Sequence, residues 1–527
     1  MRRARCAANR VSSRGPTAVS RRTARHHPNR NEKTGGDSVI RRWAIFSVIL
    51  PIALPMAAIP ARAQSGSPGT SVPTYGANTI GAIPYAPGSL PPTQGAFTGS
   101  VPGKLVPGVL QISLQDAIDR GLKQNLGLLL SNEDIRSARG ERWTQLSKLL
   151  PNVTTQTSVV ASQIDLATLG ISIPGFPNVV GPFSYFDSRA YVTQTLFDWK
   201  AINNTRSATQ SVESRKYTYK DARDLVILAV GFTYLQAVAS ESRIETADAQ
   251  VKTAEALHNQ ASDQFKAGTS PAIDALLARV ELQTRLQQLI AARNDFAIQK
   301  LTLARVIGFA PGQQFELTDK SLYQPLEGIT VDEALKRAYG SRSDYQAALA
   351  EQRAAEFSHR AAVAGYFPTL TLDGDYGVAG KHPETNAHGV FDVRGTLTIP
   401  IFQGGIVKGD ILKADAQLEQ TRERVENLRG QIDADVRTAL FNLESSAQQV
   451  AVAESNIGLA EETLTQSRDR FVAGVTDTVE VVQAQELVAT AHENYISSLY
   501  SYNYAKISLA RALGLAEEGV KEYFKGK

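Results

Sequence analysis

VRTALFNLESSAQQVAVAESNIGLAEETLTQSRDRF, Val436 to Phe471, is the stretch whose spacing decides how this chain is built. Val436, Leu443, Val450, Ile457, Leu464 and Phe471 recur every seventh residue, and Ala439, Ser446, Ala453, Ala460 and Ser467 follow three places after the first five. Large and small side chains alternating on a seven-residue period keep one stripe of a helix against a partner helix, the pattern of a coiled-coil seam. No proline interrupts Gly405 to Phe471. At 1.5 Å per residue that is a rod of ~100 Å, far longer than a globular helix, and it needs packing partners along its length.

The same rod occurs 206 residues earlier. Val230, Ala237, Ile244, Val251, His258 and Phe265 form the large column, and Thr233, Ser240, Ala247, Ala254 and Ala261 the small one, within a proline-free run of 199–265. Each rod ends in a similar turn, Phe265-Lys266-Ala267-Gly268 or Phe471-Val472-Ala473-Gly474, where glycine supplies the left-handed residue that reverses the chain. Return helices are expected over 271–307 and 476–513. They are too short to match the rods, so the helical segments Asn132–Leu150 and Ser343–Phe367 are expected to stack on them end to end.

Ser113 and Thr330 are N-cap residues that open the two repeats, and Pro151 and Pro368, at the same offset of 217, end a helix ahead of alternating segments. In 369–378, Leu370, Leu372, Tyr376 and Val378 share one face and Asp373 and Asp375 the other. In 390–401, Phe391, Val393, Leu397, Ile399 and Ile401 oppose Asp392, Arg394, Thr396 and Thr398. In 185–197, Phe186, Ala190, Val192 and Leu196 oppose Asp187, Arg189, Thr193 and Thr195. With a weaker pattern over 152–162 this gives four strands of period two. An apolar face against a charged face over about ten residues fits a membrane barrel wall, with Asp187, Arg189, Asp373, Asp375, Asp392 and Arg394 toward the lumen. A half-buried sheet in a soluble α+β protein has the same alternation. Four strands do not close a barrel and open edges are not tolerated in lipid, so the barrel reading requires one shared between subunits.

The net charge of +4 is not a property of the folded part. Residues 1–63 hold 13 Lys and Arg against 2 acids, and removing that +11 leaves about −7, which gives nucleic-acid binding no footing. Arg41-Arg42, the apolar run Trp43 to Pro60 and Ala61-Arg62-Ala63 have the three parts of a secretory signal, with Val39 as a plausible true start; a transmembrane anchor is the alternative. Cys6, the one cysteine, falls in this leader. Residues 64–112 are expected to be a Pro/Gly/Ser-rich flexible tail, 113–329 repeat one, 330–514 repeat two and 515–527 a C-terminal tail.

Gln194-Thr195-Leu196-Phe197-Asp198, Ile399-Pro400-Ile401-Phe402, the two tip turns and the duplicated order of elements make Ser113 to Gly514 similar to the TolC-like outer-membrane efflux channels. The resemblance implies a mixed α/β membrane protein: a long antiparallel helical tunnel and four strands per protomer in a 12-stranded outer-membrane barrel shared by a homotrimer. It implies a conduit for efflux or type I secretion, with a periplasmic adaptor and an inner-membrane pump as partners and outer-membrane lipid around the barrel. The tip residues Ala267, Gly268, Thr269, Ala473, Gly474 and Val475 are then the adaptor-docking surface. Acids just past the tips narrow the aperture in this family, and Asp274 and Glu480 both stand six residues after the tip glycine, with Asp477 one helical turn before Glu480. Thr476 occupies the place of a frequent arginine and Gln483 that of a frequent second acid, which leaves Arg468 or Arg470 to hold the closed state.

No catalytic constellation accompanies these features. The five histidines beyond the leader, His258, His359, His382, His388 and His492, are scattered, and there is no P-loop, metal-binding helix motif or nucleophile motif. The expectation is therefore no enzyme, no cofactor, no metal and no nucleic acid. A periplasmic coiled-coil structural or adaptor protein without channel activity is the alternative; it accounts for the rods but not for the strands. His258, the one titratable member of the seams, is a candidate for pH-sensitive opening.

Overall fold

Two helices of nearly equal length set the scale: α3, Trp199–Lys266, has 68 residues and α7, Ile406–Val472, has 67. They belong to a computed structural model that describes residues 97, 99–319, 324–326, 328–381 and 387–523, all within the unit 84–527. The leader, residues 64–96 of the tail and His382 lie outside the described residues. In chain order the other elements are β1 (Leu110–Ile112), α1 (Leu114–Gln124), α2 (Leu126–Ser147), β2 (Asn152–Asp165), β3 (Val179–Phe197), α4 (Ala272–Val306), β4 (Phe315–Leu317), α5 (Val331–Ser341), α6 (Ser343–Val363), β5 (Thr369–Gly380), β6 (Ala387–Thr398), α8 (Thr478–Ala512) and α9 (Ala516–Tyr523).

Local chemistry starts each helix. Ser113 caps α1 in a reciprocal pair with Asp116, and the Thr330 hydroxyl accepts the Glu333 N–H at 3.4 Å to cap α5. Asp198 caps α3 through the Ala201 N–H at 3.0 Å. Along the rods the small seam positions Ser240, Ala247, Ala254 and Ala261 are buried in α3, as are Ala439, Ser446, Ala453, Ala460 and Ser467 in α7. The large column differs: Val436, Val450, Leu464 and Phe471 are buried in α7, whereas in α3 Phe265 is exposed and Ile244, Val251 and His258 are half-buried.

α3 is the central helix, packed by α1, α2, α4, α6, α8 and α9, and α7 lies outside it against α5, α6 and α8. The main core gathers Val226, Ile227, Val230, Tyr234 and Leu235 of α3 with Ile118, Leu303, Ile307 and Ile507. That run makes α3 apolar enough to cross a membrane by composition, yet half of the window is buried in protein, and packing accounts for it. Two smaller cores lie near α5 and at the tips.

The four long strands form one antiparallel sheet in the order β2-β3-β5-β6, leaving β2 and β6 as edges of the chain. Three expectations are corrected by the structure. β3 begins at Val179, not 185, because Val179 to Phe186 of the uncharged Gly/Pro-containing run pair with β2. β6 ends at Thr398 rather than 401, since Pro400 has no N–H for a ladder. Both expected tails are partly fixed: β1 pairs in parallel with β4, the Ser100 hydroxyl donates to the Val306 carbonyl, and α9 buries Ala516 and Val520.

Candidate functional site

The sheet carries one side of the candidate site. Arg189 donates from Nε and Nη2 to Asp187 at 2.9 and 2.7 Å and from Nη1 to Asp375 at 3.0 Å, so the structure brings those three together on the polar face. Gly377 makes this possible. It lies opposite Arg189, and a Cβ there would stand 2.1 Å from the Ser188 carbonyl oxygen and 2.6 Å from the Arg189 Cα. Asp373 stands opposite Arg394 and Asp375 opposite Asp392, and Arg394 bonds Asp392 along its own strand at 3.1 Å. All six expected polar-face residues thus share one face in register.

The other face is apolar and bare. Val159, Tyr376, Phe391 and Val393 are 74%, 71%, 76% and 68% exposed, and Val153 and Leu397 are exposed with them. Such a face, continued over four strands, is far larger than an isolated surface hydrophobe.

The opposite end of the long helices carries the two tips. Ala267 and Ala473 are C-caps, and Gly268 (φ 72°) and Gly474 (φ 69°) take the left-handed conformation that ends each helix. The Thr269 N–H bonds the Gln264 carbonyl at 3.0 Å and the Val475 N–H the Arg470 carbonyl at 2.9 Å. Ala267, Gly268, Thr269, Ala473, Gly474 and Val475 are all exposed, and nothing lies within 4 Å of a Cβ built on either glycine.

The acids past the tips are held differently. Asp477 caps α8 through the Glu480 N–H at 3.3 Å. The Glu480 carboxylate accepts from Arg470 at 2.8 Å, from Ser467 at 3.4 Å and from the Thr476 hydroxyl. Asp274 is 9% exposed and accepts from the Ser270 hydroxyl at 2.9 Å. Of the two arginines named from the sequence, Arg470 is therefore the one that reaches the acid. His258 is half-buried on α3, with its Nδ1 unpartnered among the described residues. The other described histidines are apart from one another: His359 lies 3.9 Å from Asp415 and His492 3.5 Å from Glu461.

Sequence reasoning missed a charged joint where the end of repeat two meets α3. Arg342, buried between α5 and α6, bonds Asp344 at 2.7 and 3.0 Å and Asp435 of α7 at 2.9 Å. Arg511 of α8 bonds Asp221 of α3 at 2.5 Å, and Arg223 bonds Glu517 of α9 at 2.6 Å. Burial opposes the charge on Asp344, but the Arg342 guanidinium holds its carboxyl below the usual range. Burial pushes Asp221 up, even with Arg511 beside it, and pushes Asp224 up to about 6. Nothing local in the sequence marks these partners, which come from five elements.

Residues 117–309 and 334–515 match the sequence profile of the family described as Outer membrane efflux protein. The outer membrane protein TolC of Escherichia coli K12 is 23% identical over 444 residues, covering 79% of this chain and 87% of that protein. Among solved structures, a membrane protein from Pseudomonas aeruginosa superposes with a TM-score of 0.67 at 19% identity, covering 77% of this chain and 91% of the other. The CmeC outer membrane channel of Campylobacter jejuni gives 0.67 at 17%, covering 78% and 89%. At these identities the structural likeness speaks for the fold.

Proposed function

The chain belongs to the outer membrane efflux protein family, and from that premise we propose that three copies assemble one passive conduit from the periplasm to the exterior. Each protomer lends its four strands to a 12-stranded barrel, and the long helices with their shorter neighbours wall a periplasmic tunnel. The observation that carries this reading is the sheet: an exposed apolar face, a charged face in register, and two edges that a lipid environment requires to be paired. Pairing β6 of one copy with β2 of the next closes the sheet without an edge.

The helices support the same assembly. Ile273, Val280, Ile290, Ile298 and Leu301 leave an exposed apolar row along α4, and Phe441, Val452 and Leu459 leave another on α7. Two different patches on one chain favour a head-to-tail contact that closes as a ring, rather than a two-fold dimer. The exposed tips Ala267-Gly268-Thr269 and Ala473-Gly474-Val475 are the docking surface for a periplasmic adaptor that couples the conduit to an inner-membrane pump, for efflux or type I secretion. Glu480, Asp477 and Asp274 form the aperture, and Arg470 holds Glu480 in the state described above. An adaptor without channel activity leaves the bare apolar sheet face without a role.

Cysteine pairs with one member in β2 and the other in β6 test the assembly. Oxidation in isolated outer membranes is expected to give a covalent ladder that stops at three chains on denaturing gels. Recovery of the pairs in a soluble periplasmic fraction, or a ladder ending at two, overturns the proposal.

A further inference from the structure

Between α3 and α8, below the main core, lies a groove with a volume of about 590 Å³. Its lining runs from Leu235 to Thr253 on α3 and from Asn503 back to Gln485 on α8, eighteen residues of helix or ~27 Å. Val488, Ile496, Leu499 and the Tyr500 ring give it an apolar wall, and Leu464 of α7 and Arg285 of α4 close one end. The volume is within the usual range for small-molecule sites, and the shape is elongated.

Ionic groups on this lining are already engaged. Arg285, 3% exposed, bonds Glu281 at 2.6 Å, Glu486 at 2.6 Å and Gln288 at 3.0 Å. His492 faces Glu461 at 3.5 Å, and Glu245 and Tyr495 have partners of their own. An anionic ligand finds the Arg285 guanidinium already taken. The unmet hydrogen-bonding capacity is neutral: among the described residues, Gln485, 5% exposed, has neither amide atom partnered, and Asn503, 2% exposed, donates to the Leu499 carbonyl at 3.0 Å but leaves its own oxygen unpartnered. Buried amides in this condition favour any partner that completes them, and a second amide is the complement that satisfies donor and acceptor at once.

We propose that this groove is a binding site for an uncharged, elongated aromatic molecule with a carboxamide, lactam or urea edge. With the Gln485 side chain turned toward the groove, the ligand N–H donates to its Oε1 and the ligand carbonyl accepts from its Nε2, and the apolar body lies along Val488, Ile496 and Leu499 toward Tyr500. A further donor on a longer ligand reaches Asn503 Oδ1. The site is formed within one chain, so it does not depend on the proposed trimer.

Equilibrium dialysis of N-phenylbenzamide against the purified full-length protein in phosphatidylcholine nanodiscs tests this, with empty nanodiscs subtracted. Phenyl benzoate, which lacks the N–H, and 4-benzamidobenzoate, which adds a charge, are the comparators. Saturable binding of the amide is expected, with both comparators at least tenfold weaker. Gln485→Leu is expected to weaken the amide about tenfold and to leave phenyl benzoate unchanged; Thr246→Trp, which fills the groove, is expected to abolish both. Far-UV circular dichroism and particle size identify variants that have not folded, and Asn503→Leu, tested with a longer diamide, gives a second variant in that event. Non-saturable uptake equal in wild type and Thr246→Trp, or equal affinity for amide and ester, overturns the assignment.

Discussion

The two halves of this chain follow the same course of helix, helix, strand, strand, long helix and return helix, but they hold their joints by different chemistry. Between α1 and α2 stands Asn125, fully buried, which caps α2 through the Leu128 N–H at 3.3 Å and donates to the Phe97 carbonyl at 2.6 Å. Between α5 and α6, 217 residues later, stands Arg342, equally buried but charged and bound to two aspartates. The partners are unequal as well. Asp221 and Asp224 of α3 correspond, 206 residues on, to Asn427 and Gly430 of α7, and half-buried Arg511 corresponds to the exposed Arg305. Duplication explains the shared backbone; the charges mark the place where the end of repeat two packs onto the central helix. A neutral cap suffices between α1 and α2, while the joint between α5 and α6 needs its buried ion mutually satisfied.

Replacing the two joint residues by the same side chain gives the largest expected effect. Arg342→Leu leaves half-buried Asp344 without its fork and is expected to cost about 3 kcal/mol, the low end of the range for breaking a buried pair. Asn125→Leu loses a cap and one buried hydrogen bond, about 1–2 kcal/mol. Thermal melting of the solubilised protein, followed by circular dichroism, compares them. Adding Asp344→Leu to Arg342→Leu is expected to recover part of the loss. Equal costs at the two joints, with no recovery, would show that the repeats are held alike.

Asp224 sharpens the contrast through pH, because repeat two has only Gly430 in its place. Burial raises its folded pKa from 3.8 to about 6, so between those values the folded chain keeps a proton that the unfolded chain releases. Its contribution is therefore fully present below about pH 4 and is lost as pH rises through 6. Asp224→Asn removes that loss. The variant is expected to be more stable than wild type at pH 7.5, by up to about 3 kcal/mol, and to converge with it near pH 4. A stability difference that stays constant from pH 4 to 8 would contradict the assignment.

Features legible in the sequence were those written in neighbouring residues. The seven-residue columns marked the rods, Gly268 and Gly474 their ends, Ser113 and Thr330 the helix starts, and the alternation around Asp373 and Asp375 a strand with two unlike faces. What was not legible depends on partners distant along the chain. β1 is a strand only because Leu110 to Ile112 meet Phe315 to Leu317, and the first third of β3 exists only through β2. The charged joint draws on Asp221, Arg342, Asp435, Arg511 and Glu517, whose local surroundings resemble any solvated helix face. At the candidate site, the polar face and tips could be placed from the pattern, but the Arg470–Glu480 pair and the burial of Asp274 required the folded turns.

The smallest expected stability change belongs to the tips, where Glu480 has an arginine partner that Asp274 lacks. Glu480 is held by Arg470 at 2.8 Å, with the two side chains 32% and 56% exposed, a pair worth no more than about 0.5 kcal/mol in solvent. Asp274 has a serine instead and is more deeply buried. Glu480→Gln should therefore barely alter melting but leave Arg470 without its carboxylate, so that three uncompensated cations surround the proposed aperture. Asp274→Asn removes a charge that is already turned into the protein. In planar bilayers Glu480→Gln is expected to reduce cation selectivity and weaken block by a trivalent cation, and Asp274→Asn to add a smaller change in the same direction. Equal effects from the two single variants would make the tips equivalent despite their different partners. Wild-type selectivity and block in the double variant would remove both acids from the constriction.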